Sequence, residues 1–325
     1  MTPPTISVVV RCFNEERHIG RLLSGLMRQS QQPSQIILVD SGSTDATLDI
    51  ASRFPVEVHS IEPERFSFGR SLNVGCRAST GEILVFASGH VYPVYETWLT
   101  DLTAPFSDPQ VALAYGRQMG DERTRYSERR VLARWFPPRS VARQDHPFCN
   151  NANAAVRRSV WEVQPYDEEL TGLEDLDWAK RALAQGHALA YVAGAPVVHA
   201  HDETWSELVN RYRREAIAHK RIYPEQHVNA LDAIRLAVGN IASDYVHAAR
   251  DRAFGRSFAS IPVFRAAQFW GTYRGFRQRG ETSAVLRRHF YYPHGLRRPD
   301  VHDAPSGRPI DYDEANQRDA DVRAD

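Results

Sequence analysis

The chain has 325 residues, 42% hydrophobic and 10% aromatic, which is enough for one large α/β domain with additions or for two domains. Forty Lys and Arg balance forty Asp and Glu, so zero net charge gives no global electrostatic case for nucleic acid. Three scattered cysteines, Cys12, Cys76 and Cys149, argue against a disulfide framework or a cysteine-rich zinc site and fit a reducing compartment.

Met1–Thr5 runs straight into a strand pattern without a charged leader and apolar signal core. No apolar run approaches the roughly 20 residues that span a bilayer. A cytoplasmic protein is expected, with a place on the cytoplasmic face of a membrane left open.

Ile6–Val10 is short, β-branched and nearly all apolar, which predicts a strand buried on both faces. Ile19, Leu22, Leu23, Leu26 and Met27 then recur at helical spacing. Gln35–Asp40 is a second strand, 46–53 a helix and 56–59 a third strand. Strand, helix, strand, helix, strand demands right-handed crossovers and a parallel sheet with ligands at the strands' carboxyl ends. Asn14 and Glu15 follow the first strand, and Asp40-Ser41-Gly42-Ser43 closes the second, where that rule puts polar groups. No GxGxxG follows the first strand, so a dinucleotide site is not expected.

Phe66–Ala78 reads as a loop entering a helix, and Arg70 and Asn73 are placed in that loop. Residues 82–87 form a further buried strand running into Ser88-Gly89-His90. A helix over 98–106 and a strand over 111–116 follow. From Arg117 to Pro147 charge dominates and periodicity fails, which suggests a long functional loop such as a lid. A short strand with three Asn ends at Val156.

Thr171-Gly172-Leu173-Glu174-Asp175-Leu176-Asp177-Trp178 opens a helix with three carboxylates in four residues. Unsatisfied N–H groups and the dipole favour negative charge there, so an acidic surface turn and a general base at the sheet's lip are both open. Residues 188–192 and 197–201 read as two strands, the second carrying His199 and His201. Charged or aromatic-rich helices follow over 205–220, 230–252 and 263–277. Asp244–Arg298 holds eleven Arg against three acids, and 299–325 holds eight acids against three Arg. The first segment suggests helices lying on an anionic membrane or packed on the rest of the chain, the second a disordered acidic tail.

Val8–Glu16 and Ile37–Asp45, then Asn151–Trp161, Pro165–Leu170 and Glu174-Asp175, resemble in order the motifs of family 2 glycosyltransferases of GT-A fold. Bacterial rhamnosyltransferase-like members are the nearest subgroup. The similarity covers roughly residues 5 to 220. It implies an α/β GT-A fold with a mostly parallel central sheet flanked by helices. Residues 1–220 would form the catalytic domain, nucleotide-binding over 1–116 and acceptor-binding over 117–220. Residues 221–298 would be a helical extension and 299–325 the tail.

The resemblance further implies inverting sugar transfer from a nucleotide-sugar donor to a glycan or lipid-linked acceptor in surface polysaccharide or glycoconjugate assembly. Asp175 would be the base, with Glu174 beside it orienting the acceptor or tuning its pKa, and the two could trade roles. Donor contacts would fall to Arg11, Asn14, Glu15, Asp40, Ser41, Gly42, Arg70, Asn73, Ser88 and His90. For Asp40 a turn-forming role before Ser-Gly is the alternative.

One departure matters most. Where the family presents an Asp-x-Asp-like pair that holds a divalent metal, this chain has Ser88-Gly89-His90. His90 can ligate Mn²⁺, donate to phosphate when protonated, or be a plain strand-end histidine. In the family a histidine at this place often completes the metal site; either His199 or His201 could face the donor phosphates, His199 being favoured for metal contact, and a plain exposed or core histidine pair is the alternative. Dependence on Mn²⁺ or Mg²⁺ therefore stays open. A non-catalytic nucleotide-sugar-binding protein and a transferase with an unusual donor and no metal are the alternatives. A nucleotidyltransferase is disfavoured because Arg11-Cys12-Phe13-Asn14 is not a Gly-rich basic loop. Oligomeric state, a homo-oligomer included, is left open.

Overall fold

The computed structural model describes residues 4–200 and 203–280, together with Leu286, Phe290 and Tyr291. The acidic tail and His201 lie outside the described residues.

The chain begins β1 (Ile6–Cys12), α1 (Ile19–Met27), β2 (Gln35–Asp40), α2 (Thr47–Ala51), β3 (Glu57–Ser60), α3 (Phe68–Ala78) and β4 (Ile83–Ser88). It continues through β5 (Val91–Pro93), α4 (Trp98–Thr103), β6 (Val111–Met119), α5 (Tyr126–Trp135), β7 (Val141–Gln144), β8 (Asn153–Arg157) and α6 (Arg158–Val163). Then come α7 (Glu174–Ala184), β9 (Ala188–His199), α8 (Trp205–Ile222), α9 (Ala230–Arg250), α10 (Phe254–Ser257) and α11 (Ser260–Phe276).

All the strands join one sheet in the order β3-β2-β1-β4-β8-β6-β9-β5, with β7 also on β9. The expected α/β architecture holds, and the parallel crossovers give β3-β2-β1-β4. The rest is mixed: β8 enters antiparallel between β4 and β6, and β5 and β7 pair antiparallel with β9. Only β6 and β9 resume parallel pairing.

The near-continuous apolar strands reflect burial on both faces. Val8 and Val10 pack with Leu22, Leu26, Trp98 and Leu102 under α1 and α4. Val9 and Phe86 point to the other face, with Leu72, Cys76, Trp161, Trp178 and Ala182 under α3, α6 and α7.

The stretch 117–147 is not a structureless lid. It finishes β6, then forms α5 and β7. The two strands expected over 188–201 are one, carried past Gly194 and Pro196 by a register shift opposite Gly116/Gln118. Beyond the sheet, α8 starts with a capping box in which Thr204 and Glu207 satisfy each other's backbone N–H. Helix α11 packs along α8 and α9. A buried node ties α5 to both later helices: Asp244 accepts from Ser127 Oγ at 2.7 Å and from Arg265 Nε at 2.8 Å. No helix among the described residues is long and apolar enough to cross a membrane.

Candidate active site

The carboxyl ends of β1, β2 and β4 lie side by side, with Cys12 opposite Asp40 and Arg11 opposite Ser88. The loops after β1 and β2 are stitched together. Asn14 N–H donates to Ser43 Oγ, Thr44 N–H to Asn14 Oδ1, and Glu15 N–H to Thr47 Oγ1. Glu16 and Asp45 add two more such bonds. Asn14 adopts a left-handed φ of 54° to turn its side chain into this seam.

Asp40 is buried and takes the turn-forming role that the sequence left open. Its carboxylate accepts from Gly42 N–H at 2.9 Å and from Ser43 N–H at 3.0 Å and Oγ at 2.5 Å. Cys12 Sγ reaches it at 3.6 Å, and burial with the Asp40 charge raises the thiol's pKa, keeping it protonated. Ser41 Oγ donates to Cys12 O, and Gly42 sits at φ 94°.

Arg70 and Asn73 are not in a loop but on α3. Arg70 pairs with Glu168 at 2.7 Å. Buried Asn73 donates to Tyr166 O and Glu168 Oε1 and accepts from Trp161 Nε1 and Tyr166 N–H. Both tie α3 to the 161–168 segment.

The turn after β4 carries the next cluster. His90 Nδ1 donates to Glu15 Oε1 at 2.5 Å. Gly89 makes this reach feasible, since a Cβ there would lie 2.7 Å from Glu15 Cγ. Burial alone would lower the His90 pKa, but the charge and hydrogen bond of Glu15 outweigh it and raise the pKa above its ordinary value. The Val91–His199 register brings His199 alongside. The two imidazoles stack at 4.9 Å with 21° between planes. His199 Nδ1 donates to Gln118 Oε1 at 2.7 Å. Among the described residues no group of three or more His, Cys, Asp or Glu gathers as a metal site.

The acidic helix start is an inward-facing pair. Leu173 precedes α7 at φ 54°, a conformation costly for a branched residue, and packs with Leu170, Ala218 and Ile222. The chain thereby turns both Glu174 and Asp175 into the protein, where they are buried. Glu174 Oε1 meets Arg11 Nη1 at 3.1 Å, and the Arg11 guanidinium lies over the Phe68 ring. Asp175 Oδ2 accepts from Asn151 N–H at 3.1 Å and Oδ1 from its neighbour Leu176 N–H at 2.8 Å. Burial, then the Glu174 charge, raises the Asp175 pKa to about 7 against the pull of the two N–H groups and Arg11. A carboxylate poised there suits proton abstraction near neutral pH.

Sequence reading did not single out Gln118, Asn151 or Phe68. Asn151 lay in the three-Asn strand, and its buried Nδ2 has no hydrogen-bond partner among the described residues, as is true of Gln118 Nε2. Such donors next to Asp175 and His199 are the expected signature of a site that a ligand completes.

The family model for glycosyl transferase family 2 matches residues 7–163. An O-antigen chain rhamnosyltransferase, WbaN of Salmonella anatum, is 27% identical over 230 residues, covering 66% of this chain and 72% of that protein. Glycosyltransferase AglE of Haloferax volcanii is 28% identical over 203 residues, covering 58% and 65%. Among solved structures, the mannosyltransferase PcManGT from Pyrobaculum calidifontis, in complex with GDP-Man and Mn²⁺, superposes with TM-score 0.58 at 18% identity, covering 90% and 88%. S. aureus TarS 1-349 with UDP-GlcNAc gives TM-score 0.50 at 15% identity, covering 81% and 90%. The structural likenesses speak to the fold alone.

Proposed function

We propose that the chain is a family 2 glycosyltransferase of GT-A fold that uses Asp175 to activate a hydroxyl of a glycan or lipid-linked acceptor in surface polysaccharide assembly. The donor is a nucleotide sugar, as in related transferases. The observation that carries the reading is the buried Asp175, its pKa raised to about 7 by burial and by the charge of Glu174, which is itself paired with Arg11.

In the proposed reaction the acceptor oxygen attacks the anomeric carbon while its proton passes to the Asp175 carboxylate. The bond from that carbon to the diphosphate breaks on the opposite face, so configuration inverts and the nucleoside diphosphate leaves. Arg11 holds Glu174 in place and limits the charge that Asp175 must tolerate. Asn151 N–H fixes the carboxylate's orientation.

His90 and His199 fit a divalent metal in one specific respect. Each presents Nδ1 to an oxygen, which in the neutral ring puts the lone pair on Nε2, the pattern common among metal-ligating histidines. With Ser88 they would hold Mn²⁺ in preference to Mg²⁺, the donor diphosphate supplying further oxygens. When bound, the cation would neutralise the leaving diphosphate. The raised His90 pKa favours a second reading, in which protonated His90 donates to the phosphate directly.

Thermal shift and turnover with a panel of nucleotide sugars in Mn²⁺, Mg²⁺ or EDTA test both points. Mn²⁺-dependent transfer is expected. Full activity in EDTA would replace the metal by His90, and nucleotide-sugar binding without any turnover would remove the catalytic reading.

A further inference from the structure

Helix α9 has two unlike sides. Ala233, Asp244 and Ala248 are buried against the rest of the molecule. At about 100° per residue, Leu231, Ile234, Val238, Ala242, Val246 and Ala249 fall within about a third of the circumference, turned away from that buried side. All six are exposed, Leu231 at 53%, Ile234 at 60%, Val238 at 60% and Val246 at 51%. The 21 residues extend this apolar stripe over about 30 Å.

Aromatic rings prolong it. Tyr245, at the stripe's edge, stacks on Phe258 at 5.4 Å and tilts against Phe254 at 5.3 Å. Phe254 and Phe258 are themselves 41% and 53% exposed. A contiguous apolar face of this kind marks a contact surface.

The charges around the face identify what covers it. Arg235 lies within the stripe, and Arg250, Arg252 and Arg256 stand at its C-terminal end, all exposed. Among the described residues none of the four is in an ion pair. Between 233 and 280 the only acids are Asp244 and Asp251. Asp244 is buried on Arg265, and Asp251 accepts from Tyr126 Oη. A second copy of this face would bring arginines without counter-charges. An anionic lipid surface supplies both an apolar layer and the missing negative charge.

We infer that α9, with the α10 phenylalanines, is an in-plane membrane anchor that seats the enzyme on anionic lipid. This locates the contact differently from the sequence, which pointed equally to the basic helix α11. There Arg265 is 4% exposed and spent on Asp244. The inference is independent of the transfer reaction, because its readout is sedimentation and not turnover.

The full chain is spun with vesicles of phosphatidylcholine, with and without phosphatidylglycerol. Co-sedimentation with the anionic vesicles that weakens in high salt is expected. The double substitution I234D and V238D, on exposed positions that leave the core untouched, should weaken it at least about tenfold. Replacing Arg235, Arg250, Arg252 and Arg256 by Gln should abolish the preference for anionic lipid. As an independent reading, Val238→Trp should be quenched by brominated lipid chains. No binding to anionic vesicles, or binding unchanged in the Asp variant, would overturn the inference. A dimer in solution that the same substitutions dissolve would also overturn it, in favour of a second copy.

Discussion

Asp175→Asn tests the base assignment through stability as well as rate. Asp175 has its pKa raised from 3.8 to about 7 in the folded protein. Between those values the native state keeps a proton that the unfolded chain has released. Wild-type stability therefore falls as pH rises through this window, by about 1.4 kcal/mol per pH unit, and levels off above about pH 7. The contribution from about pH 5 to about pH 8 is roughly 2–3 kcal/mol. Asparagine cannot titrate, so the variant lacks this slope. It also turns an amide NH₂ toward one of the two N–H groups that the carboxylate accepts from, a cost that does not depend on pH. Urea unfolding of both proteins at about pH 5 and about pH 8 cancels that cost. The difference should move in the variant's favour by the stated amount. Wild-type kcat should fall about tenfold per pH unit below about 7, and the variant should lose roughly 10²–10⁴-fold in kcat at neutral pH with nucleotide affinity retained. A pH-independent stability difference, or turnover in the variant within a factor of about ten of wild type, would refute the reasoning.

Arg11→Met should cost roughly 3–5 kcal/mol in urea unfolding, because it strands Glu174 as a buried charge. Adding Glu174→Gln should recover much of that loss. Arg11 also restrains the Asp175 pKa, so the single variant's pH–rate profile should shift to higher pH. Asn73→Ala should destabilise by about 2–4 kcal/mol by unpairing Trp161 Nε1 and both backbone groups of Tyr166. Its nucleotide affinity should be unchanged, and a large loss there would restore Asn73 as a donor contact. Gly89→Ala forces Glu15 away from His90. The Mn²⁺ concentration needed for half-maximal activity should then rise by about tenfold or more, as for other groups that orient metal-ligating histidines. An unchanged requirement would separate the Glu15–His90 bond from metal binding.

The sequence displayed those parts of the fold whose stability is apolar and local. β1, β2 and β4 are runs of buried Val, Ile, Leu and Phe, and α1 buries an unbroken stripe. Helix α5 escaped notice because its buried residues are polar: Ser127 bonds to Asp244, and Glu128 to Arg211. Hydrophobic periodicity has nothing to register in such a helix. β9 looked like two strands because Gly194 and Pro196 interrupt it, and only the register shift opposite β6 carries it through.

The site divides in the same way. Glu174-Asp175 and the polar strand ends could be located by motif and position. The partner of Glu174 lies 163 residues away, and that of His90 lies 75 away. Neither pairing is written in local spacing. Asp40 shows what position alone leaves out: its own turn takes up the carboxylate through the Gly42 and Ser43 N–H groups.

The stitched loops after β1 and β2 have a kinetic consequence. Their cross-bonds and the closed Asp40 turn leave little backbone freedom to be lost at the rim where the donor is proposed to dock. Docking onto such a rim is close to rigid-body capture. Association with free nucleotide should then be a single exponential whose rate climbs linearly with concentration, without the plateau that a slow loop closure imposes. Amides of 14–16 and 43–47 should exchange slowly in the ligand-free protein already.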